Sequence, residues 1–305
     1  MIRSIQYKNL TWLDVKKPRP TDIDYLKKTF HLHPLLVQEF TCPSQRPRAE
    51  EFANCLYVVF HTPLYDNQKK FTYPGEIDIV ILENFLITVH QDNNLPLNNI
   101  FSEIKKSAAR KEEAMSKTAG FLFYFVMEKL IASCFPKIDH INEKIDFIEK
   151  EIFNENEKDM VRYLSFVKRD ILSFRRILKP QKNILESLLQ KKYRLLEDEL
   201  NDYFQDLIGT NIRVWNALEN TKEVAESLEE TNNSILSHKI NETIRFLSAV
   251  SLITFALSVT TGIFGMVPIE SFPLVKEKAF FWLALLFMLI IALTIVAIFR
   301  KKRWL

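Results

Sequence analysis

Glycine is scarce in this chain: there are 5 in 305 residues, and only Gly75, Gly120 and Gly209 precede residue 241. None forms a loop able to cradle phosphate, too few are present for the turns of a sheet-rich fold, and long helices tolerate the shortage best. Cysteine is scarce too. Cys42, Cys55 and Cys134 show no metal-ligand spacing and cannot all pair, so they read as reduced structural thiols. An excess of one charge is missing: 41 basic residues face 38 acidic ones for a net +3, which excludes nucleic acid as a partner. The stretch Met1 to Tyr7 lacks the apolar core of a signal peptide and begins like a strand, so the first ~240 residues are expected in the cytoplasm. Histidine does not gather with carboxylates. His31 and His33 flank a helix boundary at Pro34, and His61 and His90 end apolar strands, where packed or capping roles are usual. No enzyme, catalytic residue or cofactor bound for catalysis is expected.

What is abundant is apolar length. Phe246 to Val267 is 22 residues without a charge, and Ala279 to Phe299 is 21 with only Thr294 polar. Each is long enough to cross a hydrocarbon core as a helix, which needs roughly 20 residues. The connector Pro268 to Lys278 carries Glu270, Lys276, Glu277 and Lys278 and is formally neutral. His238, Lys239 and Arg245 precede the first run, and Arg300, Lys301, Lys302 and Arg303 follow the second. Basic flanks stay on the cytoplasmic side, so a multi-pass hairpin in the cell membrane is expected, with both termini inside and the connector outside. Trp282 and Trp304 fall near opposite ends of the second run, at interface depth.

The two runs differ in kind. The second is apolar all round. The first carries Ser248, Ser251, Thr254, Ser258, Thr260 and Thr261, and at ~100° per residue all but Thr260 fall within an arc of about 140°, with Gly262 and Gly265. Asn241 and Ile244 extend the arc backwards, while Ala249, Ile253, Ala256 and Leu257, with Phe246, Ile263 and Phe264, fill the opposite face. Such an arc suits two uses: close packing against another helix, or the wall of a water-filled pore, which two spans can enclose only in an oligomer.

The pattern divides the chain into a mixed α/β domain over 1–115, antiparallel helices over 116–194, a stalk helix over 195–245, a pore-lining first span over 246–267, an external loop over 268–278, a second span over 279–299 and a basic tail over 300–305. Strands are expected at Cys55–His61, Ile77–Leu82 and Phe85–His90, the last two joined by a turn at Glu83-Asn84. Helices are expected at Thr21–Phe30 and Leu35–Phe40. A single helix is expected from Thr118 to about Asn154, and a second from about Asp159 to Lys192, interrupted at Pro180. The acidic turn between them, Asn154 to Asp159, reads as solvated. The third helix starts near Leu195 and meets no proline before Pro268, with a seam of Ala217, Leu218, Val224, Ala225, Leu228, Ile235 and Leu236.

Several segments carry a resemblance. Asn241-Glu242-Thr243-Ile244-Arg245-Phe246-Leu247 stands before the first span and Thr261-Gly262-Ile263-Phe264-Gly265-Met266 closes it. Leu32-His33-Pro34-Leu35, Gln45-Arg46-Pro47-Arg48, Asn84 to His90, Tyr203-Phe204-Gln205-Asp206 and the basic ending precede and follow in order. In this order the chain resembles the CorA family of two-span divalent cation transporters. The resemblance implies an α+β cytoplasmic funnel, a long helical stalk and two C-terminal transmembrane helices, assembled as a homopentamer in a lipid bilayer. Magnesium, cobalt, nickel or zinc is the implied substrate, with magnesium or another divalent cation also a regulator. It places Asn241, Ile244, Leu247, Ser248, Ser251, Phe255, Ser258, Gly262 and Gly265 toward the pore, with Leu247 and Phe255 as apolar constrictions and Asn241 as an amide ring. Gly265, Met266, Val267 and Glu270 form the outer-mouth filter, and Asp206 is implied as a regulatory metal ligand; a solvated carboxylate is the plain alternative there. The family signature Gly-Met-Asn reads Gly265-Met266-Val267 here. A ring of valines cannot accept hydrogen bonds from a hydrated ion. Two functions follow: divalent cation transport, or an altered or non-conducting relative acting as an oligomeric scaffold or sensor.

Overall fold

The computed structural model describes residues 1–42, 44, 46–91, 93–154, 156–266 and 279–301, with backbone alone at 279–281. It divides into two compact units, Met1–Glu229 and Glu230–Leu305.

The first unit is built on six strands: β1 (Ile2–Tyr7), β2 (Leu10–Lys16), β3 (Arg48–Glu51), β4 (Leu56–Asp66), β5 (Phe71–Ile81) and β6 (Phe85–His90). Their order across the sheet is β1-β2-β6-β5-β4-β3; β2 and β6 run parallel and the other neighbours antiparallel. The expected strands are present, and two are longer than expected. β5 begins six residues before Ile77 because Pro74 and Gly75, which look like a turn, lie opposite Pro63 and Thr62 at the far end of a β4–β5 ribbon. Side chains alternate across the sheet. One face places Leu13, Val15, Tyr57, Val59, Ile87 and Val89 against Ile23, Leu26, Leu36 and Phe40 of α1 (Pro20–Phe30) and α2 (Pro34–Glu39). His33 opens α2 by accepting a hydrogen bond from the Leu35 amide at 3.3 Å, with Pro34 at the first helical position.

The other face carries Trp12, fully buried and edge-on to Phe101 of α3 (Leu95–Lys106) at 5.0 Å. Beside it Asp14 accepts from Arg3 Nε at 2.7 Å and from Thr88 Oγ1 at 2.7 Å, and Thr88 in turn accepts from Trp12 Nε1 at 3.1 Å. His90 Nε2 lies 3.4 Å from the same carboxylate, so the histidine ending β6 is a packed one. Helices α4 (Ala108–Met115) and α5 (Ala119–Ala132) follow. Gly120 of α5 makes a close approach: a Cβ there would lie 3.0 Å from the Leu195 carbonyl and 3.0 Å from Leu200 Cδ1.

The expected single helix from Thr118 to Asn154 is two helices, α5 and α6 (Phe135–Phe153). Pro136 has no N–H to give the preceding turn and is tolerated only near a helix start, so the chain breaks at Ser133-Cys134. The reverse holds for α7 (Glu157–Gln190), which runs unbroken through Pro180. There the lost hydrogen bond, worth ~3 kcal/mol with the ring's clash, is offset by Ile177, Leu178 and Gln181, all buried around it. Glu157 is 3% exposed, so the acidic turn is not wholly solvated as expected; Glu155 lies outside the described residues.

A short 3-10 turn, Asp198–Leu200, leads into α8 (Asn201–Met266), 66 unbroken residues beginning six positions after Leu195. Within the first unit α6, α7 and α8 bury residues at alternating spacings of three and four. Ile138, Ile141, Ile145, Ile148 and Ile152 form the α6 seam; Phe204, Leu207, Val214, Leu218, Ala225 and Leu228 belong to the α8 seam, which passes through buried Asn211 and Thr221. This is the side-chain spacing of antiparallel helices packed lengthwise. Thr221 donates to Asn142 at 2.8 Å, and Asn211 donates to Gln181 at 3.0 Å. Val224, expected in the seam, is 53% exposed because it falls one position before the repeat.

The second unit contains the remainder of α8 and α9 (Ala279–Lys301). Among the described residues, three helical stretches are long and apolar enough to cross a membrane. The one over Ala119–Phe153 has 61% of its apolar window buried in the first unit and is thereby core, whereas the windows in α8 and α9 are 6% buried. Apolar helices with so little protein cover need lipid as solvent.

Candidate functional site on the membrane helices

The membrane part of α8 has one shielded face. Ala249 is fully buried and Ile253, Ala256, Leu257 and Thr260 are half-buried, while the residues between them are exposed. On α9 the matching stripe is Ala284, Met288, Ile291, Ile295 and Phe299. Both stripes repeat every three or four residues, the spacing of one helix face. The shielded face of α8 is centred roughly 165° from the polar arc. Ser248, Ser251, Thr254, Ser258 and Thr261 are all exposed, as are Gly262 and Gly265, where an added Cβ would meet nothing within 4 Å. Thr260, the one hydroxyl outside the arc, is the one on the shielded side. Packing within this chain therefore does not explain the arc.

Three hydroxyls on the arc turn their protons inward. Ser251 donates to the Leu247 carbonyl at 2.8 Å, Thr254 to Val250 at 3.0 Å and Thr261 to Leu257 at 2.8 Å. What remains on the outside of each oxygen is lone pairs, which accept from the water around a cation. The other expected pore residues share the exposure: Asn241 is exposed, Ile244 is 55%, Leu247 63% and Phe255 66% accessible. Met266 is 85% exposed at the end of α8; Val267 and Glu270 lie outside the described residues, as do Lys302, Arg303 and Trp304.

On the cytoplasmic side, the Tyr203-Phe204-Gln205-Asp206 segment opens α8. Phe204 is buried 6.0 Å from Phe123, and Tyr203 stacks near Tyr124 at 4.9 Å under the Lys117 ammonium. Asp206 points outward and is exposed. Burial first, then the charges of Glu128 and Asp206, push the Tyr124 hydroxyl up to about 12. Among the described residues no three His, Cys, Asp or Glu side chains gather to hold a metal. Cys55 and Cys134 are buried, with thiols pushed up by burial to about 11 and about 12, as suits structural cysteines; Cys42 is exposed.

A protein-family model described as CorA-like Mg2+ transporter protein matches residues 7–301. The chain belongs to the CorA-like family. It is 25% identical over 297 residues to the cobalt/magnesium transport protein CorA of Thermotoga maritima, an alignment covering 97% of this chain and 83% of that one. Its fold superposes on the complete CorA magnesium transporter of Methanocaldococcus jannaschii with a TM-score of 0.85 at 21% identity, over 99% of this chain and 94% of that one. The full-length CmaX protein matches with a TM-score of 0.72 at 20% identity, over 97% and 89%. CorA-like proteins are transporters rather than enzymes, in keeping with the scattered histidines.

One polar centre of this CorA-like chain was not legible beforehand. On the α1–α2 face of the sheet, Asp78 is 5% exposed and accepts from the Tyr57 hydroxyl at 2.6 Å. Burial first, opposed by that hydrogen bond but aided by the charges of Glu76 and Glu39, pushes its carboxyl up to about 7. The folded chain therefore keeps a proton that the unfolded chain releases near pH 4, so stability falls as pH rises from ~4 to ~7 and then levels. Asp78→Asn is expected to stabilise the full-length protein by on the order of 2 kcal/mol at pH 8 and by little at pH 4. Denaturant midpoints at the two pH values check it.

Proposed function

We propose that this chain moves divalent metal cations across a membrane, magnesium foremost and cobalt, nickel or zinc as further candidates, through a central pore that the polar arc of α8 lines in a homopentamer. The observation that carries the reading is the phase of α8: its hydroxyl and glycine arc faces away from the shielded stripe of Ala249, Ile253, Ala256, Leu257 and Thr260. Two spans cannot close a pore, so a ring of copies is required. The names of relatives support the cargo, since those of Thermotoga maritima and Methanocaldococcus jannaschii are cobalt/magnesium transport proteins.

In this reading Asn241 supplies amide oxygens at the cytoplasmic entrance, Leu247 and Phe255 are the constrictions, and Ser248, Ser251, Ser258 and Gly262 form the wetted wall. Ile244 lies between them. Gly265, Met266, Val267 and Glu270 surround the outer mouth, where backbone carbonyls and Glu270 replace the signature amide. Asp206, outward on α8, binds a regulatory divalent cation with groups of a neighbouring subunit. Both termini lie in the cytoplasm, as the basic flanks dictate.

Val267 favours one second reading, in which the same oligomer does not conduct and acts as a scaffold or sensor. Flux into liposomes separates the two. Magnesium, cobalt, nickel and zinc are offered one at a time to the unmodified protein and to Val267→Asn. Selective flux in the unmodified protein is the expected outcome, with Val267→Asn raising magnesium flux several-fold. Silence in both contradicts transport and leaves the scaffold.

A further inference from the structure

A cavity of about 530 Å3 opens beneath the sheet in the first unit, between β5, the end of α2 and α7. Its size falls within the 300–1,000 Å3 typical of small-molecule sites and far exceeds the needs of a bare ion. The walls are largely apolar, with Phe40, Phe71, Pro74, Ile177 and Pro180 among them. Three carboxylates converge on it. Strand alternation sends Glu76 and Asp78 of β5 to the same face, and Glu39 arrives from α2.

These carboxylates are not equally occupied. Glu39 is bridged to Arg48 at 2.9 Å, and Glu76 accepts from the Ser44 amide at 2.9 Å with His61 Nε2 3.7 Å away. Asp78, only 5% exposed, spends Oδ1 on the Tyr57 hydroxyl and is one of the residues that line the cavity. The basic groups nearby do not cancel this. Arg48 is committed to Glu39 and Glu50, and Arg176 is an exposed residue at the rim. Once ionised, a carboxylate held in a largely apolar cavity is favoured by a cation beside it, and among the described residues no three ligands are close enough for a metal.

We propose that this cavity binds a small organic cation, a protonated amine on an apolar frame, with its charge on Asp78 and Glu76 and its body against Phe40, Phe71 and Ile177. The site is independent of ion passage and stands whether or not the hairpin conducts. It also touches the helix scaffold, since Gln181 of α7 donates to the His61 carbonyl at 2.7 Å and accepts from Asn211 of α8. The groups facing Asp78 are Tyr57 and His61 from β4, Glu76 on its own strand, Glu39 from α2, Arg48 from β3 and Arg176 from α7. Asp78 holds its proton to about pH 7, so a cation must displace that proton at lower pH.

Calorimetric titration of the full chain in nanodiscs tests this with tyramine as probe and 4-ethylphenol, the same frame without the amine, as its neutral counterpart. The expected result is saturable tyramine binding, about tenfold weaker at pH 6 than at pH 8, and none of 4-ethylphenol. Asp78→Asn is expected to weaken tyramine at least tenfold, as is Ser173→Phe, which fills the cavity mouth without altering charge and carries the test alone if Asp78→Asn does not fold. Absence of saturable binding, equal binding of 4-ethylphenol, or unchanged affinity in either folded variant overturns the proposal.

Discussion

Ser251→Lys is expected to reduce divalent cation flux at least ~100-fold in liposomes while leaving the oligomer intact on gel filtration. Ser251 is exposed near the middle of the arc, on the side away from the shielded Ala249–Ala256 stripe. An ammonium there, about 6 Å from a divalent ion on the pore axis, costs ~1.4 kcal/mol even at the dielectric constant of bulk water. A ring of copies multiplies that cost, and about 2.7 kcal/mol already corresponds to a hundredfold. Ser251→Ala removes the hydroxyl without adding charge and is expected to change flux only a few-fold. If the lysine variant conducts as the unmodified protein does, the arc does not face the ion path.

Asp14→Ala is expected to destabilise the full-length protein by about 3–5 kcal/mol, a large share of the 5–15 kcal/mol typical of a domain. The carboxylate is fully buried and holds Arg3, Thr88 and His90 together. Without it the buried His90 and the Thr88 hydroxyl lose their shared acceptor, and leaving polar groups uncompensated is what makes such deletions expensive. Burial alone would raise the Asp14 carboxyl, but the hydrogen bond and charge of His90, then Thr88 and Arg3, hold it below the ordinary value. Its stabilisation is therefore present above pH ~4 and is lost as pH falls further, opposite in sign to Asp78. Denaturant midpoints at pH 7 and pH 3 check both the size and the slope; a loss under ~1 kcal/mol at pH 7 would mean the network is dispensable.

How far these features could be read from the chain depends on their range. The two apolar helices and the phase of the polar arc are local periodicity: the arc's hydroxyls are exposed, and Thr260, the one outside it, falls on the shielded side. Phe85–His90 and the His33-Pro34 helix start were legible for the same reason, as alternation and capping act over a few residues. Pro136 and Pro180 act in opposite ways because proline's effect depends on partners that the local sequence does not name. Pro136 sits where a new helix begins, while Pro180 is flanked by seam residues that keep α7 whole. The cavity was out of reach altogether: Glu39, Asp78 and Ile177 are brought together only by the sheet order and the return of α7 across it.

Thiol accessibility tests the central claim most directly. The full-length protein with Cys42, Cys55 and Cys134 replaced is reconstituted in liposomes, carrying a single cysteine at Ser251, Ser258, Ile253 or Ala256, and treated with a charged, water-soluble thiol reagent. The arc is predicted to be wet, so the cysteines at Ser251 and Ser258 react and modification blocks flux, while those at Ile253 and Ala256 stay unmodified. Equal reaction on both faces, or inert cysteines at Ser251 and Ser258, would contradict a pore lined by this side of α8.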